Sequence, residues 1–323
     1  MAPRQPVNRP HQPAGTARHP DNEPPPPARQ PESGPSPLTR QPDNGPPSAA
    51  GAARQAGRQP GRNTERDRSR RVLSQNFLHH PDAVRQIVAA ARPGPDDLVV
   101  EVGAGRGVLT RALAARSGRV LAYEIDPYLV PVLADTCAPL TNVTCLAEDF
   151  LAARAPDEPY AVVGNIPWAL TAGVVDRCLR APRLTSATLL TQLEYARKRT
   201  GDYGRWSRLT VLTWPSLHWR LAGRVPRSAF RPVPRVDAGI LRLDRRVSPL
   251  VAPALLPAYQ RLVELGFGGE GGSLYGSLRR RYPRSRLDAA CRATRLAVDT
   301  PVGFVWPEQW LALFRLLQPY APD

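Results

Sequence analysis

Leu98-Val99-Val100-Glu101-Val102 is a short, nearly continuous apolar run, closed at once by Gly103-Ala104-Gly105-Arg106-Gly107. A run of that length against a glycine turn reads as a buried strand of a parallel sheet. The glycines let backbone approach a ligand where the strand gives way to a helix, at the switch point of an open α/β sheet. Such a strand cannot stand alone, since it needs parallel neighbours and helices over both faces.

The flanking pattern supplies them. Val84, Ile87, Val88 and Ala91 sit at helical spacing, and Pro93-Gly94-Pro95 ends that helix. Strands are expected near 119–125, 143–147, 160–164 and 186–192, with helices near 107–116, 128–136, 170–180 and 193–199. This alternation predicts an α/β, doubly wound sheet. Beyond position 205 a short helix is expected at 208–214, then a strand at 236–243 after the proline-broken Phe230-Arg231-Pro232-Val233-Pro234. From Arg246 the spacing is helical, through Leu255, Leu256, Tyr259, Leu262 and Val263 and again through Trp310, Leu311, Leu313, Phe314 and Leu317. A small all-helical C-terminal domain is predicted.

Residues 1–65 hold 16 of the 38 prolines, repeat Arg-Gln-Pro, and contain no Ile, Phe, Tyr or Trp. A segment of that kind cannot offset its ordering entropy, so a disordered tail is expected there. The boundaries are therefore a tail at 1–65, an α/β domain at 66–245 and a helical domain at 246–323. No apolar run approaches the roughly 18–20 residues of a membrane span, and Met1 to Pro10 has no apolar export segment. A soluble, cytoplasmic protein without membrane attachment is expected. Cys137, Cys145, Cys178 and Cys291 form no CxxC or Cys/His cluster, and the five histidines have no ligand spacing, so no metal site is expected.

The net charge of +16 rests on 43 Arg and one Lys. A high-G+C coding sequence alone raises arginine, so clustering is the informative quantity. Residues 66–180 carry 13 basic and 13 acidic side chains, whereas residues 181–245 carry 13 and 4. That local excess is the footprint of a phosphate-binding face. Arg66, Arg68, Arg70 and Arg71 form a further short run before Leu73-Ser74-Gln75-Asn76-Phe77-Leu78.

The ligand of the glycine loop follows from its neighbours. A dinucleotide fingerprint needs GxGxxG, but Val108 occupies the third glycine's place. Glu101, before Gly103, instead suits a cationic cofactor with an amino-acid tail, which points to S-adenosylmethionine. Glu124, in Tyr123-Glu124-Ile125-Asp126, lies 21 residues beyond Gly103, the distance at which a carboxylate reaches ribose hydroxyls. Asp126 reads as the N-cap of the next helix. Asp149, in Glu148-Asp149-Phe150, can accept from an adenine amino group.

Asn165-Ile166-Pro167-Trp168, after the strand Ala161-Val162-Val163-Gly164, is the most specific signal. An exocyclic adenine amine is a poor nucleophile because its lone pair is delocalised into the ring. An Asn side-chain oxygen and the carbonyl before a proline can both accept its N–H bonds and turn that lone pair toward a methyl donor. A neighbouring aromatic ring can stack on the base. Such catalysis is positioning plus electrostatics and requires no covalent residue. There is no Pro-Cys nucleophile, no Walker A loop and no deaminase zinc signature.

Leu73–Leu78, Glu101–Gly107, Glu124–Asp126, Glu148–Phe150, Asn165–Trp168 and Phe230–Val236 together resemble the Erm ribosomal RNA adenine N6-methyltransferases. The resemblance spans about residues 70–245 and implies a Rossmann-like class I S-adenosylmethionine-dependent methyltransferase. It implies methylation of one adenine of large-subunit (23S) ribosomal RNA, dimethylation included, and resistance to macrolides, lincosamides and streptogramin B. Under it, Asn76 and Leu78 line the methionine end of the cofactor, Gly103 and Gly105 cradle it, and Glu101 belongs to the same loop. Glu124 binds the ribose and Asp149 the cofactor's adenine amine, Ile125 and Phe150 are also cofactor-binding, and Asn165 touches both cofactor and target. Trp168 and Phe230 sandwich the flipped adenine. The partner is unassembled large-subunit RNA, the enzyme a monomer, and the helical domain an RNA-binding one. Trp168 replaces the family's usual Tyr or Phe, and Asp237-Ala238-Gly239 stands where a Ser is usual after the Pro-x-Val turn. The alternative is the related small-subunit dimethyladenosine transferase, which usually has Leu-Pro-Tyr in place of Ile166-Pro167-Trp168. A non-catalytic RNA-binding relative is the other reading.

Overall fold

The computed structural model describes residues 76–269 and 272–318. The expected tail, the arginine run at 66–71 and Leu73-Ser74-Gln75 lie outside the described residues. Phe77–Leu78 (β1) leads into helix Pro81–Ala91 (α1). Pro81 occupies its first turn, the His80 ring accepts from Asp82 N, and Arg92 ends it with a left-handed φ of 50°.

Leu98–Val102 (β2), Val108–Ala114 (α2), Arg119–Tyr123 (β3), Val130–Cys137 (α3), Val143–Leu146 (β4) and Tyr160–Asn165 (β5) follow. Thr171–Arg180 (α4), Leu184–Gln192 (β6), Leu193–Thr200 (α5) and Arg208–Thr213 (α6) complete the alternation. Leu217–Val225 (β7), the short Phe230–Arg231 (β8) and Ala238–Arg245 (β9) come next. The main sheet has seven strands in the order β4-β3-β2-β5-β6-β9-β7, with β9 antiparallel to both neighbours. β1 and β8 form a separate antiparallel pair that sets Leu78 opposite Phe230.

Alternate residues of each strand face opposite layers. Val99, Val120, Val163, Leu190 and Ile240 pack with α1 to α3, whereas Val100, Val162, Leu189 and Leu241 pack on the other face. Leu256–Phe267 (α7), Leu274–Leu278 (α8), Arg284–Ala293 (α9) and Pro307–Leu317 (α10) form the helical part, and their apolar residues join that second core. Tyr259 OH donates to the Val211 carbonyl at 2.9 Å, and Trp206 N donates to the Gly303 carbonyl at 2.7 Å. No described helix is long and apolar enough to cross a membrane.

β7, α8 and α9 have no counterpart in the sequence reading. β7 is an edge strand in which Leu217, Trp219 and Leu221 alternate with His218 and Arg220, but the pattern is lost at Ala222-Gly223, where the register shifts. Asp126 is not the residue before a helix. Its carboxylate accepts from Tyr128 N at 2.9 Å and so caps the turn leading into α3, which begins at Val130.

Candidate active site

β2, β3, β4 and β5 all deliver their carboxyl ends to one edge of the sheet, beside an open cleft of about 790 Å³. Gly103 and Gly105 hold positive φ values of 70° and 60°, which carries the chain across the cleft floor without a side chain. A Cβ added at Gly103 would approach the Asn165 carbonyl at 3.7 Å, so the glycine loop lies directly against the β5 loop.

Glu124, nearly buried, braces that loop. One carboxylate oxygen accepts from Gly105 N at 2.7 Å and the other from Asp126 N at 2.8 Å. Burial pushes the Glu124 carboxyl above its ordinary value, and these two donors oppose the shift. Asp149 is exposed at the opposite wall. One of its oxygens accepts from Leu151 N at 2.8 Å, and its carbonyl accepts from Ala152 and Ala153. Phe150 stands edge-on to Tyr123 with ring centroids 5.8 Å apart. Behind it, Arg177 of α4 reaches back to this loop. Its guanidinium donates to the carbonyls of Leu151 (3.0 Å) and Ala153 and lies 4.9 Å from the Phe150 centroid.

At the end of β5, Asn165 Nδ2 donates to the Asn76 carbonyl at 2.8 Å. The Ile166 side chain is buried, and its carbonyl is not taken up by any backbone hydrogen bond among the described residues. Pro167 passes into a 3₁₀ turn over Trp168–Leu170, with Trp168 half-buried at the cleft.

The cleft thus gathers Asn76, Gly103, Gly105, Glu124, Ile125, Asp149, Phe150, Asn165, Ile166, Pro167 and Trp168. Three candidates fall elsewhere. Glu101 is 1% exposed and points into the sheet's interior, because a strand side chain two positions before the turn faces the helical layer rather than the edge. Its carboxyl is pushed up to about 8, chiefly by burial; Thr110 offsets part of the shift and Glu124 adds to it. Leu78 is packed in the core. Phe230 is fully buried beside it: the β1–β8 pairing turns this ring inward, so it does not line the cleft as the expected adenine sandwich requires. Sequence reasoning missed Phe77, Leu129, Leu151, Leu170 and Val174, which line the cleft as ordinary apolar positions.

The donor set identifies what fits. Glu124, Glu148 and Asp149 line the cleft, and no Arg or Lys among the described residues does. Carboxylates repel a pyrophosphate but match a sulfonium nucleoside with an ammonium group and ribose hydroxyls. The glycine floor and the Ile125 and Phe150 walls give room and apolar contact for its adenine, so S-adenosylmethionine fits the residues present. Among the described residues no cluster could hold a metal ion.

Residues 66–319 match the ribosomal RNA adenine dimethylase family. An rRNA adenine N-6-methyltransferase of Streptomyces fradiae is 58% identical over 254 residues, covering 78% of this chain and 80% of that protein. Ribosomal RNA small subunit methyltransferase A of Anoxybacillus flavithermus is 32% identical over 233 residues, 67% of this chain and 78% of that protein. The crystal structure of the 23S rRNA methyltransferase ErmE superposes with a TM-score of 0.74 at 48% identity, covering 75% of this chain and all of that one. With its Rossmann-like class I methyltransferase core and helical C-terminal part, the chain belongs to the ribosomal RNA adenine dimethylase family.

Proposed function

We propose that the protein transfers methyl groups from S-adenosylmethionine to the exocyclic N6 of one adenine in large-subunit ribosomal RNA. The transfer extends to the dimethyl product and confers macrolide, lincosamide and streptogramin B resistance. The observation that carries this reading is the hydrogen bond from Asn165 Nδ2 to Asn76, which leaves Oδ1 to accept at the mouth of an acid-lined cleft. The large-subunit target is favoured by the 48% identity to the 23S rRNA methyltransferase ErmE, against 32% to the small-subunit enzyme.

When bound, S-adenosylmethionine supplies an electrophilic methyl group. Glu124 accepts from the ribose hydroxyls with the lone pairs left by Gly105 and Asp126. The second oxygen of Asp149 accepts from the cofactor's adenine amine, and Gly103 and Asn76 border its amino-acid tail. Asn165 Oδ1 and the Ile166 carbonyl accept from the target N6–H groups, and Trp168 stacks on the flipped base. This arrangement pyramidalises the amine and aims its lone pair, so rate comes from orientation and preorganised acceptors. Residues 66–245 carry this chemistry, residues 246–323 add RNA contact, and the enzyme works as a monomer.

Primer extension on ribosomal RNA from cells expressing the protein tests the reading. A new stop at one adenine of the large-subunit RNA, absent in an Asn165→Ala strain, is expected. A stop in the small-subunit RNA instead supports the ribosome-maturation reading.

A further inference from the structure

Tyr128, Tyr203, Phe304 and Trp306 are the strongly exposed aromatic side chains among the described residues. Tyr128 follows the β3 turn beside the cleft. The other three, 51%, 42% and 53% exposed, lie outside the cleft, Tyr203 on the loop that carries Arg205 and Trp206, and Phe304 and Trp306 on a segment that meets it. Two segments distant in sequence are pinned together there. Trp206 N donates to the Gly303 carbonyl at 2.7 Å, and the buried Trp206 ring lies 5.5 Å from Trp306. Arg205 crosses the seam with its guanidinium 4.9 Å from the Phe304 centroid, and that of Arg197 lies 4.0 Å from the Tyr203 centroid.

Large aromatic rings left in water at a domain seam cost hydrophobic free energy unless something covers them. The surroundings select the occupant. Arg205 stands against Phe304 and Arg197 against Tyr203, and Asp202, the acidic side chain of the same loop, is engaged by Arg197, which leaves Arg205 as a cation without a carboxylate partner among the described residues. Rings interleaved with arginines suit unpaired nucleotides, whose bases stack and whose phosphates need cations. Aromatic rings with arginine also mark protein interfaces; the RNA substrate proposed above decides for nucleotides.

We infer that Tyr203, Phe304 and Trp306, with Arg205 between them, form a stacking platform for unpaired bases of the substrate RNA outside the target adenine. The inference rests on the ribosomal RNA reading above. Placement agrees with it. α5 starts from the carboxyl end of β6 and leads to the platform loop, whose Trp206 packs against Trp214 and, through it, His218, which pairs with Asp244 toward the amino end of β6. The platform therefore stands back from the cleft edge, and a folded RNA presenting one flipped adenine to Trp168 reaches it with unpaired bases remote from the target.

The test uses the full chain and a protein-free fragment of large-subunit RNA. Phe304→Ala and Trp306→Ala each raise the KM for RNA roughly tenfold, while the KM for S-adenosylmethionine stays at the wild-type value. Trp306→Phe restores most of the RNA affinity because any ring can stack. Adding RNA quenches part of the wild-type tryptophan fluorescence, and Trp306→Phe removes that part. Thermal unfolding of each variant at the wild-type temperature separates a loss of stacking from a loss of fold. If the wild type methylates the RNA and the alanine variants match its RNA KM, the platform alone is overturned. It is overturned equally if the variants lose a bound protein partner with RNA KM unchanged. If the wild type neither binds nor methylates the RNA, the ribosomal RNA reading falls, and the platform with it.

Discussion

Asn165 donates through Nδ2 to the backbone carbonyl of Asn76 at 2.8 Å, across 89 positions of sequence. The bond decides which end of the amide faces the cleft: with the NH₂ group committed, Oδ1 is the acceptor for the target amine. Asn165→Ala removes that acceptor, and kcat for methyl transfer to RNA falls about 100- to 1,000-fold. Asn165→Asp sets a carboxylate oxygen against the Asn76 carbonyl with no proton between them, and activity falls comparably. Asn76→Ala retains the carbonyl and costs less than about tenfold. Transfer of labelled methyl groups to RNA distinguishes the three; a large loss in Asn76→Ala would show that its side chain, not its backbone, holds Asn165.

Arg177 is the second determinant of cleft shape. Two donors fix the carbonyls of Leu151 and Ala153, and its cation sits behind the Phe150 ring. Arg177→Met leaves both carbonyls without these donors and loosens the wall that faces the cofactor's adenine. The KM for S-adenosylmethionine rises roughly tenfold, with kcat changed much less, and Arg177→Lys recovers part of the loss. Titration calorimetry of cofactor binding, set beside steady-state kinetics, checks the split. Equal losses in kcat and KM would mean that the latch shapes the target side as well.

Glu101 gives a pH dependence. Its carboxyl is raised from 4.5 to about 8 in the fold, mainly by burial. Below about pH 4.5 both folded and unfolded chains are protonated at this group, and its burial costs nothing through ionisation. Between 4.5 and 8 the unfolded chain releases the proton more readily, so stability falls as pH rises and levels off above 8. Glu101→Gln removes that dependence. The variant gains on the order of a few kcal/mol over wild type by pH 8.5, and the gap closes toward pH 5. Thermal unfolding of both proteins from pH 5 to 9 measures it, and a pH-independent gap would rule out titration of Glu101 as the cause.

Local signals carry most of this fold. Val99 and Val100 alternate between two packed layers, and the strand they belong to ends at a glycine, so β2 and its turn are legible in seven residues. Asn165-Ile166-Pro167-Trp168 is equally compact. Arg177 cannot be found this way, because its partners are backbone carbonyls, which every residue has. Helix α9 buries Leu287, Ala290 and Cys291, too small a stripe to stand out among its arginines. Glu101 and Phe230 look like exposed chemistry in the sequence because spacing locates a residue along a strand but does not reveal whether the strand's edge or its face receives the ligand.

The arginine excess at 181–245 is similarly divided by the fold. Arg197, Arg208, Arg220, Arg224 and Arg242 pair with carboxylates, and Arg245 is spent on the carbonyls of Ala181 and Leu184. Arg183, Lys198, Arg231 and Arg235 have no side-chain partner among the described residues. Arg231→Gln with Arg235→Gln lowers the slope of log affinity against log salt by about 0.7–0.9 for each phosphate that is no longer neutralised. Arg242→Gln acts on the fold instead. It leaves Asp244 with Arg220 alone and takes the donor from the Ala91 carbonyl and the Thr188 hydroxyl, and costs about 1–3 kcal/mol of stability. Filter binding across salt concentrations, paired with denaturant unfolding, separates the two classes; an unchanged slope in the double variant would remove this loop from RNA binding.

Trp168 and Phe230 part company for the same reason. Trp168 is half-buried with a face on the cleft, whereas Phe230 has no exposed surface and packs in the core with Leu78 and Val225. Trp168→Phe keeps a stacking ring and stays within a few-fold of wild-type kcat/KM, while Trp168→Ala loses about 1–3 kcal/mol of base stacking, roughly a 5- to 150-fold drop. Phe230→Ala opens a cavity under the β1–β8 pair and costs about 3–5 kcal/mol of stability. The Phe230→Leu variant is the discriminating one. It fills most of the space, so a core role predicts a small drop in Tm and near-normal methylation. A loss of methylation in Phe230→Leu as large as in Trp168→Ala, with Tm preserved, would mean that the loop carrying Phe230 turns outward when RNA binds and that the ring does meet the adenine.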